Sequence, residues 1–250
     1  MRKITTILSL SAAFIAVSCS DSEKLLDAQQ VIDKSIEAYG GKQLYTSDIE
    51  FDFRDKHYRS YTNWGEMSYE RMFEDDSLGD VHDVLNNDGF TRTVNGMIVE
   101  LDEEWNGKYS RSVNSVVYFF RIPFNLNDAA VNKKLLPDAT LRGKVYYKVR
   151  ILFDQESGGE DYQDYFIYWI HKETFIIDYF AYSYSTDEGG KRFREMINLR
   201  DINGLKVVDY INYKPKNINT PLEEFDIYFE QSEMEELSRI ENRNIEVKYL

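Results

Sequence analysis

The sequence predicts a mainly β protein of the α+β class, in which about ten consecutive antiparallel strands and a few helices form one domain. Three observations support this prediction. From about residue 48 onward, apolar residues recur with a period of two, which is the spacing of one face of a strand. Residue pairs that favour tight turns, Asn-Gly and Gly-Gly, separate these runs. Before residue 40 the period is instead that of an amphipathic helix.

The composition narrows the class of protein. Of 250 residues, 42% are hydrophobic and 15% aromatic, which excludes a disordered acidic chain because such chains lack core-forming residues. The net charge of −14 opposes binding to the phosphate backbone of nucleic acids, so we expect no nucleic-acid partner. One cysteine can build neither a disulfide scaffold nor a thiolate zinc site, and we expect no cofactor.

Residues 1–18 have the layout of a secretory signal peptide. Two basic residues start the segment, and residues 4–17 are uncharged and mostly apolar but too few to cross a bilayer as a helix. Residues 16–19 read AVSC, which resembles a bacterial lipobox. The resemblance implies that Cys19 is acylated and becomes the mature N-terminus; the alternative is an ordinary signal peptide with a chance cysteine.

The domain boundaries follow from this assignment. Residues 19–22 would be the lipidated N-terminus and a short tether, and residues 23–250 a single folded domain. Ser20 stands where the familiar Gram-negative sorting rule places Asp for retention at the inner membrane. We therefore expect an outer-membrane lipoprotein, on the periplasmic face or the cell surface. Its acyl chains would bind the membrane with about 0.8 kcal/mol per buried CH₂.

The first predicted element is a helix over residues 22–39. Its apolar residues recur at helical spacing, Ser20 with Glu23 fits a capping box, and Gly40-Gly41 provides a left-handed stop. The strands follow, and the Asn-Gly pairs at 95–96 and 203–204 predict hairpins, as do the Gly-Gly pairs at 158–159 and 189–190. The runs are residues 49–53, 67–73, 90–94, 97–101, 145–153, 162–171, 175–185, 192–200, 205–213 and about 237–249.

Three segments interrupt the strand pattern. Residues 113–122 fit a helix or a strand about equally well. Asn127 is a suitable N-cap for a short helix through residue 134 that ends before Pro137. Spacing of apolar residues over 222–229 predicts another short helix near the C-terminus.

Two neighbouring strands are aromatic or apolar on both faces. In the first, Phe166, Tyr168 and Ile170 alternate with Tyr165, Ile167 and Trp169, and residues 175–184 show the same pattern. A sheet with one face in water is polar on that face. Helices, a ligand or a membrane must therefore cover the second face.

The chain resembles two groups of proteins. A helix ending in residues 38–41 (AYGG) and followed by a long antiparallel sheet resembles the LolA/LolB-like lipoprotein carriers. This resemblance implies a half-open β-barrel with short lid helices over an apolar cavity. Nearly the whole mature chain resembles an uncharacterised family of Gram-negative outer-membrane lipoproteins, which has no activity to transfer. The segments that carry this likeness are 112–120, 158–161, 168–170, 178–182 and 192–194.

Catalytic signals are weak, and we assign no catalytic or metal-binding residue. There is no nucleophile elbow, P-loop or dinucleotide fingerprint. His57, His82 and His171 are scattered without the spacing of metal ligands. The acidic loop at 74–80 lacks the pattern of an EF-hand and fits a solvated turn better than a weak Ca²⁺ site.

One polar constellation could serve binding. Arg192, Arg194, Asn198 and Arg200 alternate onto one strand face, and Asp178 and Asp209 lie on the strands expected opposite. Facing inward, the arginines could hold the carboxylate or phosphate head of an amphiphile; facing outward, they would form weak cross-strand ion pairs. The candidate ligand-binding residues are Tyr118, Phe120, Trp169, Tyr179, Tyr182, Arg192 and Arg194, although the aromatic ones fit a core better than a ligand wall.

Three functional hypotheses remain at this point. The first is a non-enzymatic outer-membrane lipoprotein that binds a lipid or another apolar or amphiphilic molecule in a half-barrel. The second is an envelope hydrolase that uses carboxylates or His171 in the same concavity, which requires two such groups to converge on one substrate atom. The third is a surface interaction module with an unknown protein partner.

Overall fold

The computed structural model describes residues 25–154, 165–185 and 189–250. The predicted signal peptide, Cys19, the tether and the Gly-Gly turn at 158–159 lie outside the described residues. The helices in the described part are α1 (Ala28–Tyr39), α2 (Glu103–Phe120) and α3 (Phe225–Glu230). The strands are β1 (Thr46–Phe53), β2 (Lys56–Asn63), β3 (Glu66–Asp75), β4 (Gly79–Asn86), β5 (Gly89–Val94), β6 (Met97–Ile98), β7 (Val131–Leu141), β8 (Lys144–Phe153), β9 (Tyr165–His171), β10 (Ile177–Tyr184), β11 (Gly190–Ile202), β12 (Leu205–Pro215), β13 (Met234–Ile240) and β14 (Asn242–Tyr249).

The strands form two antiparallel sheets, and the prediction of a mainly β, half-open architecture is confirmed. The N-terminal sheet has the order β14-β1-β2-β3-β4-β5-β6, and the C-terminal sheet has the order β13-β12-β11-β10-β9-β8-β7. Glu241 alone separates β13 from β14, so the chain crosses between the sheets at one corner. The sheets do not close into a barrel. The single final strand predicted over 237–249 is therefore two strands, one in each sheet.

The N-terminal sheet buries one face. In β1, Ser47, Ile49 and Phe51 are buried and alternate with acidic residues. The acidic face carries ion pairs, among them the guanidinium of Arg59 with Asp48 at 2.8 Å. This is the one-sided alternation that an antiparallel sheet shows when its other face meets water.

The C-terminal sheet buries both faces, as the two-sided aromatic pattern predicted. One face, with Phe166, Tyr168 and Phe180, belongs to the main core between the sheets. The other face packs against α3 and the 3₁₀ turn before it. Its buried members include Ile167, Trp169, Tyr179, Phe193, Leu222, Phe225 and Phe229. A helix of the chain itself therefore covers the second face, and the short helix predicted near 222–229 is confirmed.

The first helix begins later than predicted. It starts at Ala28 rather than at residue 22, and the predicted caps Ser20 and Glu23 lie outside the described residues. Asp27 and Gln30 form the capping box instead: the Asp27 carboxylate accepts from the Gln30 N–H, and the Gln30 side chain accepts from the Asp27 N–H. Ser20 with Glu23 and Asp27 with Gln30 both have the spacing of a capping box. Spacing alone therefore could not predict which pair caps the helix.

Two other predictions around α2 and β7 are resolved. Residues 113–122, which fitted helix or strand, mostly form the second half of α2. The helix predicted over 127–134 is wrong: a single 3₁₀ turn ends at Asn127 and β7 begins at Val131. Pro137 did not exclude a strand, because β7 is an edge strand and its register with β8 shifts between Leu136 and Ala139.

The predicted hairpin at Asn203-Gly204 also positions α1. Both residues have positive φ, as a type I′ turn requires. Gly40, after α1, has φ +140°, and a Cβ there would lie 2.8 Å from Leu44 Cδ1 and 3.0 Å from the Gly204 carbonyl oxygen. The end of α1 therefore rests directly on this hairpin.

We expect Gly40→Ala to lower the free energy of unfolding by about 1–3 kcal/mol, because it adds both backbone strain and a steric clash. Urea unfolding measures the loss. Gly65→Ala is the matched control, since Gly65 also has positive φ but no atom lies within 4 Å of the place that its Cβ would take. Equal losses for the two variants would contradict the contact with the hairpin.

Candidate functional site

Helix α2 lies between the two sheets and contacts both. Its Phe120 ring stacks on Phe51 of β1 with centroids 3.9 Å apart. Its Phe119 ring stacks on Phe180 of β10 at 5.9 Å and lies 5.1 Å from Tyr182. These aromatic pairs bring the helix into the main core, where it covers the concave side of the open sheets.

A cavity of about 350 Å³ lies beside the second half of α2, at the corner where β13 passes into β14. Its walls come from the helix and from both sheets, and both apolar and polar side chains contribute to them. The described lining residues are Phe53, Arg54, Ser115, Val116, Phe119, Phe120, Tyr182, Arg194, Tyr210, Asn212, Ser238, Ile240 and Asn242. Concave sites of this size and polarity are typical of small-ligand pockets.

Arg194 is the buried charge of this cavity. Its side chain extends from β11, 7% of the residue is exposed, and its Nη2 donates a hydrogen bond to the Tyr182 hydroxyl at 3.0 Å. The guanidinium carbon lies 3.9 Å from the centroid of the Phe119 ring. Burial raises the pKa of the neighbouring Tyr210 phenol, and the positive charge of Arg194 partly offsets this rise.

The other members of the predicted polar face serve a different purpose. A bulge in β11 between Ile197 and Arg200 ends the simple alternation. Beyond it, Arg200 pairs with Asp209 at 2.6 Å and also donates to the carbonyl of Asn242. Asp209 additionally accepts from the Asn242 N–H at 2.9 Å. These groups fix the corner between the sheets.

Asp178 does not face the arginines. Its carboxylate accepts from the Tyr146 hydroxyl at 2.9 Å and pairs with Lys144, on the face of the C-terminal sheet that α3 covers. The register of β10 shifts between Ile177 and Tyr179, which lets Asp178 lie there. Burial raises the pKa of Tyr146, and the negative charge of Asp178 raises it further.

The seven predicted ligand-binding residues separate into groups. Phe120, Tyr182 and Arg194 line the cavity. Tyr118 packs against the main core beside Phe119 and Phe166. Trp169 and Tyr179 do not line it, because strand alternation places them in the second core under α3. Arg192, two residues before Arg194 on β11, lies over the Tyr184 ring and is not among the lining residues.

Several lining residues were not singled out from the sequence. Phe119, Tyr210 and Asn212 contribute to the wall. Strand alternation could have found the last two, because Asn212 is the register partner of Arg194 and Tyr210 that of Met196. Phe119 could not be found without knowing that residues 113–122 are helical.

Buried polar groups hold α2 against the N-terminal sheet. Asp83, which is fully buried, accepts hydrogen bonds from Arg71 and Arg92 at 2.6–2.9 Å. Arg71 also donates to Ser112 at 2.8 Å, and the Arg92 guanidinium lies 3.5 Å from the Tyr109 ring centroid. The carboxylate thus orients two arginines, each of which contacts the helix.

The end of α2 is held in the same way by Arg121, which follows the helix. Its guanidinium donates to the Leu44 carbonyl at 2.8 Å and to the Ser60 hydroxyl at 3.1 Å. Burial lowers the pKa of this arginine. The middle and the C-terminal end of the helical cover are therefore attached to the N-terminal sheet.

The groups considered for catalysis lie elsewhere. His57 contacts Asp52 at 2.7 Å and His82 contacts Glu70 at 2.8 Å, both on the acidic outer face of the N-terminal sheet. The His171 ring accepts from the N–H of Glu173 in a turn. Within the described ranges, no three His, Cys, Asp or Glu side chains are placed to hold a metal ion.

The two open sheets, the helical cover between them and the cavity beside it define a half-open β fold, which is similar to the LolA/LolB-like architecture. The chain belongs to DUF6503, a family of unknown function whose model matches residues 6–242. The expected membership of an uncharacterised family with this type of fold is confirmed. A search of curated proteins finds no significant match.

Solved structures with a similar fold have very different sequences. A DUF1329 family protein from Desulfovibrio piger aligns with a TM-score of 0.52 at 8% identity, over 89% of this chain and 93% of that chain. A LolA superfamily protein from Nitrosomonas europaea aligns with a TM-score of 0.48 at 12% identity, over 90% and 96%. At 8% identity, the first likeness shows the fold alone. None of the described helices has the length and apolarity needed to cross a membrane.

Proposed function

We propose that the protein is an outer-membrane lipoprotein, anchored through acylated Cys19, that holds an apolar or amphiphilic ligand between its sheets and catalyses no reaction. The cavity is the observation that carries this proposal. Aromatic side chains from α2, such as Phe119, and from both sheets, such as Phe53 and Tyr210, line its volume of about 350 Å³. Apolar surface of this kind favours a ligand that leaves water.

The position of the cavity supports the same function. It lies beside a helix that is attached to the N-terminal sheet at its middle and at its C-terminal end, so the walls are held in place before a ligand arrives. The second aromatic face of the C-terminal sheet is already covered by α3. The proposed ligand therefore requires only the concavity between the sheets, and the acyl anchor would make the contact with the membrane.

The hydrolase alternative finds no support at this cavity. Its lining, as far as the chain is described, contains no Asp, Glu or His. A general acid or base must lie within hydrogen-bond reach of the reacting atom. His171 and the paired carboxylates of the N-terminal sheet are at other surfaces.

A substitution that fills the cavity tests the proposal. Ser238 is half-buried on β13 and lines the cavity, so Ser238→Trp would occupy much of its volume. We expect native mass spectrometry of the processed full-length protein to show a co-purified amphiphile. The adduct should be lost in Ser238→Trp and retained in the matched control Ser238→Ala. An adduct-free wild type, or equal adducts in all three proteins, would contradict the proposal.

A further inference from the structure

Arg194 is a buried cation without a carboxylate partner. It is 93% buried, and the hydrogen bond to Tyr182 is the one that its guanidinium makes within the described ranges. Its Nε is buried and has no acceptor. Of the other deeply buried arginines, Arg71 and Arg92 share Asp83. Arg121 also lacks a carboxylate partner and an acceptor for its Nε, but its other nitrogens donate to several neutral oxygens.

Such an arrangement is costly unless further acceptors complete it, and an anion would supply both the acceptors and a counter-charge. Arginine keeps its charge in proteins, so it cannot escape the cost of burial by losing a proton. Stacking on Phe119 offsets part of the free energy lost on dehydration, because the quadrupole of an aromatic ring attracts a cation. The stacking leaves donor capacity unused, because a guanidinium has five N–H groups.

The rest of the cavity is complementary to an anion. Arg54 at the β1–β2 turn is a second cationic lining residue, and no acidic residue is among the described lining. The neutral polar lining residues Ser115, Asn212, Ser238 and Asn242 carry both donors and acceptors, and Asn212 Oδ1 is a buried acceptor without a partner, so the two arginines alone set the sign of the lining. The chain has 44 acidic residues against 30 basic ones, so a positively charged lining is unusual in it. Such a lining points to a ligand with a negatively charged group.

The size of the cavity limits the apolar part of the ligand. With a volume of about 350 Å³, the cavity is at the lower end of the range of small-ligand pockets, about 300–1,000 Å³. This suits one medium-length acyl chain with its head group. It is too small for the three acyl chains of a lipoprotein anchor.

We propose that the cavity binds a single-chain amphiphile with an anionic oxygen head, a carboxylate or a phosphate monoester, and that Arg194 is the residue that binds the head. The chain would lie against Phe119 and Tyr210, and the guanidinium would pair with the head oxygens. This inference rests on the proposed function and assigns the chemical class of its ligand.

Equilibrium binding of labelled decanoate, decyl phosphate and decanol tests the inference. The processed full-length protein is used in zwitterionic nanodiscs, and empty nanodiscs correct for partition into lipid. We expect an anionic probe to bind at least tenfold more tightly than decanol. In Arg194→Met this preference should fall to within about twofold. Arg194→Lys should keep part of it, and Arg192→Met, on the same strand face outside the cavity, should keep all of it.

The outcomes separate this inference from the function on which it rests. Equal binding of decanol and both anions, or a preference that survives in a folded Arg194→Met variant, overturns the inference and leaves apolar ligand binding in place. Failure of all three probes overturns both. Stronger binding of decanoate than of decyl phosphate assigns the head as a carboxylate, and the reverse order assigns a phosphate monoester.

Discussion

Asp83→Asn is expected to lower the free energy of unfolding by about 3–5 kcal/mol. The carboxylate is fully buried and pairs with Arg71 and Arg92, each 6% exposed. Removing its charge leaves two buried guanidinium groups without a counter-ion, which is the costly way to break a buried ion cluster. Urea unfolding monitored by circular dichroism measures the loss.

The effect should also reach the helical cover. Arg71 binds Ser112 and Arg92 stacks on Tyr109, so losing their orientation should loosen the middle of α2. We expect faster amide hydrogen exchange over residues 105–115 in the variant. Asp80→Asn is the control: it removes one charge from the same strand, but Asp80 is exposed, and its loss should be within about 0.5 kcal/mol. Similar losses in both variants would refute the role assigned to Asp83.

Trp169→Ala should destabilise the protein by about 3–5 kcal/mol without changing the ligand affinity of the folded fraction. Trp169 is fully buried in the second core, where its ring packs against Phe193 with centroids 5.5 Å apart. Removing a large buried aromatic side chain loses transfer free energy and leaves a void. The β-sheet lies between this void and the cavity beside α2.

Thermal unfolding and decanol binding, measured on the same samples, test the separation. Trp169→Phe provides a milder variant that should fold if the alanine variant does not. Phe119→Ala is the comparison on the cavity side and should weaken decanol binding, because Phe119 lines the cavity. If Trp169→Phe weakened binding as much as Phe119→Ala, the division into two separate cores would be wrong.

Strand alternation was the most informative sequence signal. It correctly placed Phe166 and Trp169 on opposite faces and predicted that both faces are covered. Alternation could not predict that α3 covers one face while α2 and the cavity lie on the other, because that depends on where the two helices dock. Trp169 and Tyr179 were therefore grouped with Tyr182 from the sequence, although the sheet separates them.

Local irregularities account for the other differences. The bulge in β11 directs Arg200 to Asp209 while Arg194 enters the cavity, and a period-two pattern does not reveal a bulge. Pro137 suggested a helix end, but an edge strand tolerates it. Residues 113–122 are rich in valine and aromatic residues, which also favour strands, so packing between the sheets decides their helical state.

A crystal structure of the protein with 10-bromodecanoate tests the central claim most directly, because the anomalous signal of bromine locates the chain. The account predicts a bromine peak in the cavity beside α2, within contact distance of the aromatic rings of Phe119 and Tyr210. A structure in which the protein's own side chains fill this cavity, or a bromine peak confined to another surface, would contradict it.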